Sequence, residues 1–160
     1  MSRLRLSDWA SIAEIGSALA VVASLLYVGY EIQQNTKVSL ASNRQAVATR
    51  AQDLALFSAN IGINRLILGP EADDVVLTET EVNNLTAYVG ALLRSSEEAY
   101  LLYRDGLLDE EYWMTRAGVM LTILRSARAR QVYFQTRDSG FYTDDFVDWV
   151  DEALREKYGG

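Results

Sequence analysis

From Gly16 to Tyr30 the chain runs fifteen residues without a charge, GSALAVVASLLYVGY. Fifteen alone would suit a buried core helix or the apolar centre of a signal peptide. Extended back to Ile12, the run reaches nineteen residues and is interrupted only by Glu14. That is about 28 Å of helix at 1.5 Å per residue, close to a hydrocarbon core of about 30 Å. Glu14 lies one turn from the end, where a carboxylate reaches headgroups or stays protonated. Trp9 on one side and Tyr27 with Tyr30 on the other stand where an aromatic belt belongs. The competing reading is a core helix of a soluble bundle. A cleaved signal peptide fits less well, because Ala18-Leu19-Ala20 falls inside the apolar run and Asp8 and Glu14 spoil a basic leader. The pattern predicts an uncleaved transmembrane helix over 12–30, preceded by an N-terminal flank of 1–11.

Beyond the span, residues 31–60 contain no Pro and no Gly and are rich in Ala, Leu, Gln and Arg, all good helix formers. Steps of seven from Ile12 meet Leu19, Leu26, Gln33, Leu40, Val47, Leu54 and Ile61, so that Gln33 is the one polar member of the line. The companion line fails, since Ile15 and Val22 give way to Gly29, Thr36, Asn43 and Arg50. A long helix over 31–60 is expected, and a strict two-stranded coiled coil is not. Leu68-Gly69-Pro70 reads as a stop, after a short helix at 61–68, and Glu71–Asp74 as an acidic loop. Thr78 and Glu81 then have capping-box spacing. Val82, Leu85, Val89, Leu92, Ser96, Ala99 and Tyr103 keep an amphipathic rhythm over 79–104. Asp109 is placed to cap a helix over 109–136, with Trp113, Met120, Ala127 and Phe134 seven apart. Thr143 opens a last helix over 143–157, whose apolar face holds Phe146, Trp149, Val150, Ala153 and Leu154. The fold class is therefore all-α. An N-terminal transmembrane helix continues into a long helix, and a three- to four-helix soluble bundle follows, residues 31–160 forming one helical extramembrane domain.

Composition narrows the chemistry. At 160 residues and 49% apolar content the chain is of single-domain size and too apolar for disorder. It has no Cys and no His, which removes disulfides, thiolate ligands, the usual general base and every Ser-His triad. Residues 1–65 carry a net +2 and residues 66–160 a net −9, giving −7 overall. An acidic C-terminal half argues against nucleic acid as a partner, because phosphate binding needs a positive surface.

The remaining clusters have structural readings. Asp73-Asp74, Glu97-Glu98, Asp109–Glu111 and the acids of 144–151 fall mostly in first helical turns, where carboxylates complement the helix dipole. No calcium loop is spaced correctly, and a carboxylate di-iron site lacks its His. Arg116, Arg125, Arg128 and Arg130 either meet an anionic headgroup or phosphate or, as is favoured, pair across the bundle with Glu97, Glu98 or acids of the last helix. Tyr88, Tyr100, Tyr103, Tyr112, Trp113, Tyr133 and Phe134 are expected in the core rather than around a cofactor or quinone. No metal or cofactor is implied. Lys37, Arg44 and Arg50 follow the span closely enough to favour anionic lipid, Lys37 and Arg44 being the candidate headgroup contacts. Within the span, Gly16, Ala20 and Ser24 recur every four residues, the small-xxx-small spacing that lets helix backbones approach in lipid.

Residues 14–28, EIGSALAVVASLLYV, followed by Glu31-Ile32-Gln33-Gln34-Asn35-Thr36, resemble a family of uncharacterised bacterial single-pass membrane proteins. Its N-terminal segment has the form E-I-x-G-A-I-A-V-V-x-S-L-I-Y, then Q-I-R-Q-N-T. Gly106-Leu107-Leu108-Asp109 with Trp113 resembles the same family's G-L-L-D…W pattern. The chain departs from it at Glu31 and Gln33, where the family carries Gln and Arg, which weakens the orientation signal. The resemblance implies a single span in the bacterial inner membrane, a C-terminal half leaning towards the cytoplasm, and no established activity.

The expected function is that of a membrane-anchored, non-enzymatic interaction or scaffold protein. It would bind itself or another membrane protein through Gly16, Ala20 and Ser24, with the lipid bilayer as its other partner. The alternative is a homo-oligomeric ion-conducting pore with Glu14 at one mouth and Gln33 at the other. Enzymatic acid–base work by Asp, Glu, Tyr or Arg stands third, since it requires a concave site with a raised carboxylate pKa.

Overall fold

The computed structural model describes residues 6–67 and 76–159, and all regular structure among them is helical. The six helices are α1 (Leu6–Asn60), α2 (Ile63–Ile67), α3 (Glu79–Arg104), α4 (Glu110–Ile123), α5 (Ala127–Asp138) and α6 (Asp144–Tyr158). The Leu68-Gly69-Pro70 stop, the Glu71–Asp74 loop and the flanking Arg3 and Arg5 lie outside the described residues. The chain divides into two compact units, one ending at Ser39 and the other beginning at Leu40.

The described residues of the first unit are helix alone. Every described side chain from Ala13 to Ser39 is exposed, Leu26 by 71%. The hydroxyls of Ser17, Ser24 and Thr36 donate to the carbonyls of Ala13, Ala20 and Ile32, four residues back, at 2.8–2.9 Å. These hydroxyls therefore leave no unsatisfied donor on the helix surface.

The second unit is a bundle in which α3 packs against α4, α5 and α6. The seven-residue line read from the sequence joins this unit only in its later half: Val47 is buried, and Leu54 and Ile61 lie against the core. Gly62, at φ 64°, turns the chain into α2, whose Ile63, Leu66 and Ile67 are buried. Thr78 and Glu81 form the full capping box of α3, with Thr78 Oγ1 accepting from the Glu81 amide at 3.3 Å and Glu81 Oε2 accepting from the Thr78 amide at 2.9 Å. Asp109 caps α4 by accepting from the Tyr112 amide at 3.0 Å. Thr143 stands at the N-cap of α6 but makes no side-chain cap bond; its own amide donates to Glu97 Oε1 at 2.6 Å.

The structure corrects one element. The expected single helix over 109–136 is two, α4 and α5, broken at Leu124–Ser126. Amide-to-carbonyl bonds three residues back, from Arg125 to Thr122 and from Ser126 to Ile123, close α4, and Arg130 Nη1 donates to the carbonyls of Leu124 (3.1 Å) and Arg125 (2.7 Å). No Gly or Pro marks the break. It resets the helical phase, so Ala127 and Phe134 turn outward while Ala129, Val132 and Tyr133 enter the core.

The centre of the core is aromatic. Trp113 is fully buried, with its ring 4.8 Å from Trp149 in a T-shaped contact and 5.4 Å from Tyr100. Phe146 lies 5.8 Å from Tyr100. The expected packing role holds for Tyr88, Trp113 and Tyr133, which are buried, and for the half-buried Tyr100, Tyr103 and Tyr112; Phe134 is the exception.

Candidate functional site

Gly16, Ala20 and Ser24 lie along one stripe of α1, each step of four residues drifting about 40° at 3.6 residues per turn. A side-chain carbon added at Gly16 meets nothing within 4 Å. Its missing side chain therefore makes room for no contact among the described residues. With Ser24 donating to Ala20, the stripe offers smallness and not a free donor.

Glu14 and Gln33 are both exposed on α1. They are nineteen residues apart, which places them about 28 Å apart along the axis and about 100° apart around it. One pore-facing stripe therefore does not contain both. Lys37 is exposed in the first unit, whereas Arg44 belongs to the second. Arg44 Nε pairs with Asp109 Oδ2 at 2.7 Å, beside a bond from Asn43 Nδ2 to the Leu107 carbonyl at 2.9 Å and one from the Tyr112 hydroxyl to the Arg44 carbonyl at 3.3 Å. Burial works to raise the Asp109 carboxyl, but the Tyr112 amide and the Arg44 guanidinium outweigh it and hold it below its ordinary value.

Arg116 and Arg130 do not pair as expected. Glu97 is taken by Arg94 Nη1 at 2.6 Å and by the Thr143 amide, and Glu98 pairs with Arg50. Arg116 is 7% exposed and donates to Ser95 Oγ, facing the phenols of Tyr88 and Tyr112. Burial lowers its pKa, yet a guanidinium stays charged. Arg130 closes the end of α4. Cross-bundle pairing to the last helix is made instead by Arg104, whose Nη1 meets Asp145 Oδ2 at 3.0 Å, and by Arg137, whose Nη1 meets Asp151 Oδ2 at 3.0 Å, while the Tyr133 hydroxyl donates to Asp151 Oδ1 at 2.8 Å.

Sequence reasoning missed two things here. Glu97, expected as a dipole-complementing acid or a partner of the arginine cluster, is buried and ties α3 to the start of α6. Arg130, Phe134 and Arg137 share a face of α5 opposite Leu154, Arg155 and Tyr158 of α6. Their spacings of three, four and seven were a legible signal, hidden by treating 109–136 as one helix.

No group of three or more metal-ligating side chains comes together among the described residues. One described helix, α1, is long and apolar enough to cross a membrane, and its apolar window has no buried residue. Comparison with protein-family models, curated proteins and solved structures finds no match.

Proposed function

We propose that residues 12–30 anchor the chain in a bilayer and that the helical bundle is a contact module of a membrane complex, either a homo-oligomer or an assembly in which this chain is a non-enzymatic accessory subunit. The observation that carries this reading is the uncovered apolar segment. From Ala13 to Tyr30 α1 is apolar on nearly every side, and no described side chain there is buried by the rest of the chain. A core helix of a soluble bundle would have that surface covered. Each large apolar side chain left in water forgoes about 1.5–3 kcal/mol, so cover must come from lipid or from other chains. The resemblance of residues 14–36 adds support for a single span in the bacterial inner membrane with the bundle on the cytoplasmic side. A reporter fused after Gly160 reads that orientation.

Association through the small-residue stripe is tested by Ala20→Leu. The substitution adds apolar surface, so insertion is retained or improved, while close backbone approach is lost. Oligomers, or complexes crosslinked in native membranes, should weaken for Ala20→Leu and persist for Val21→Leu, one residue along on another face. If Ala20→Leu assembles like the unmodified chain, the span serves only as an anchor. Release of the unmodified chain by alkaline carbonate would remove the anchor itself.

A further inference from the structure

A groove of about 480 Å³ lies between α5 and α6, within the bundle unit. Arg130, Phe134 and Arg137 form one side, and Leu154, Arg155 and Tyr158 the other. Its volume falls in the range of small-molecule sites, about 300–1,000 Å³. Three guanidiniums face one carboxylate, Asp151, in a chain whose net charge is −7.

The three arginines are not equivalent. Arg137 is neutralised by Asp151 at 3.0 Å and Asp138 at 2.9 Å. Arg130 spends donors on the carbonyls that end α4. The Arg155 guanidinium has no ion pair or hydrogen bond among the described residues. The walls are held in advance. Arg137 lies over the Phe134 ring, 4.9 Å from its centroid, and Asp151 is fixed by the Tyr133 hydroxyl. The Tyr158 hydroxyl donates to the Leu121 carbonyl at 2.9 Å, which sets its ring. Phe134 nevertheless keeps 39% of its surface exposed, while the adjoining Tyr133 is buried.

We propose that this groove binds a small amphipathic monoanion, a carboxylate carried on an aromatic or aliphatic body. Arg155 takes the head, because its donors are free where those of Arg130 reach carbonyls and those of Arg137 reach carboxylates, and a guanidinium forks onto a carboxylate through two hydrogen bonds. Phe134, Leu154 and Tyr158 take the body. Little ordering is required on binding, since the neighbouring charges are already held in place. The site stands independently of the membrane reading, because every residue of it belongs to the bundle.

The probe is naphthoate, titrated by calorimetry into the full chain held in zwitterionic phosphatidylcholine discs. Naphthamide supplies the same body without the charge, and inorganic phosphate supplies a charge without the body. The expected result is saturable naphthoate binding that is about tenfold or more tighter than naphthamide, with no saturation by phosphate. Arg155→Gln should lose a similar factor and Phe134→Ala several-fold, while Arg125→Gln, outside the groove, changes nothing. Arg155 is exposed and makes no ion pair among the described residues, so its substitution leaves the fold intact, which circular dichroism checks. Oleic acid in the discs separates the sources: competition assigns the groove to membrane-derived fatty acids, and undiminished naphthoate binding assigns it to water-soluble acids. Equal affinity for naphthamide, unchanged binding by Arg155→Gln, or no saturable binding overturns the proposal.

Discussion

The two stretches of α1 spend the same residue types in opposite ways. Leu19 and Leu26 in the first unit and Val47, Leu54 and Ile61 in the second belong to one seven-residue line, yet the former are exposed and the latter meet the bundle core. The difference lies in what surrounds the line. Around Val47 stand Asn43, Arg44, Gln45, Arg50, Gln52 and Asp53, so only one face is apolar. Around Leu19 and Leu26 every neighbouring face is apolar too. A periodic apolar line fixes how a helix faces only when its other sides are polar. Where they are not, the environment decides.

The largest expected effect sets the two regions apart by stability. Trp113→Ala opens a cavity at the centre of the bundle and should cost about 3–5 kcal/mol. Leu26→Ala should leave bundle unfolding unchanged to within about 0.5 kcal/mol. Urea unfolding in a mild detergent, followed by circular dichroism, measures both. A cost of several kcal/mol for Leu26→Ala would mean that the apolar segment is packed against the bundle, and the contrast would collapse. The reciprocal substitution is Val22→Arg, which should raise the apparent insertion free energy by about 2.5–3.5 kcal/mol and leave bundle unfolding as it was. Insertion unaffected by Val22→Arg would count against a span at 12–30.

Polar ties inside the bundle come next. Glu97→Gln keeps the shape but removes the charge that Arg94 and the Thr143 amide share, in a buried position. A loss of about 1–3 kcal/mol is expected. Amide exchange should rise first at the start of α6, and uniform exchange along the bundle would deny Glu97 its tie to that helix.

Acid and base act on the bundle at separate ends of the pH scale. Hydrogen bonds from the Thr78 amide and hydroxyl, aided by Arg65, hold Glu81 below its ordinary 4.5, and Asp109 lies below its ordinary 3.8. Depressed carboxylates contribute stability above their unfolded pKa and lose it as pH falls through the folded one. Bundle stability should therefore drop below about pH 4.5. Burial lifts the phenols of Tyr88, Tyr133 and Tyr142 above their ordinary 10.0, so their contribution is complete below pH 10 and declines above it. A midpoint of thermal unfolding that is flat from pH 5 to 8 and falls on both sides is the expected profile, since no His titrates between.

The elements legible in the sequence were those with local signals. Thr78 and Glu81 announce α3, Asp109 announces α4, and Gly106 and Gly140 end α3 and α5 at φ 71° and 70°. The break at Leu124–Ser126 was not legible, because it rests on Arg130 reaching back to two carbonyls and not on a breaker residue. Partner choice among the arginines was equally hidden. Arg94 and Arg50 hold the acids that Arg116 and its neighbours were expected to meet, and this is decided by which helices pack together. The small-residue stripe was legible as a pattern, and among the described residues nothing packs against Gly16.

The smallest effect concerns the ion pairs that join α1 to the bundle. Arg50 and Glu98 are each about half exposed, so water screens the pair and two long side chains lose freedom to form it. A double-mutant cycle of Arg50→Gln and Glu98→Gln should give a coupling of about 0.2–1 kcal/mol, shrinking in added salt. Asp109 differs, because its carboxylate also caps α4 through the Tyr112 amide. Asp109→Ala should cost about 1 kcal/mol, part of which survives when Arg44 has already been replaced by Gln. If the Arg50–Glu98 coupling instead exceeds the whole cost of Asp109→Ala, the later half of α1 is held to the bundle by charge more than by Val47, Leu54 and Ile61. The two stretches of α1 would then differ in their ion pairs and not in which faces are apolar.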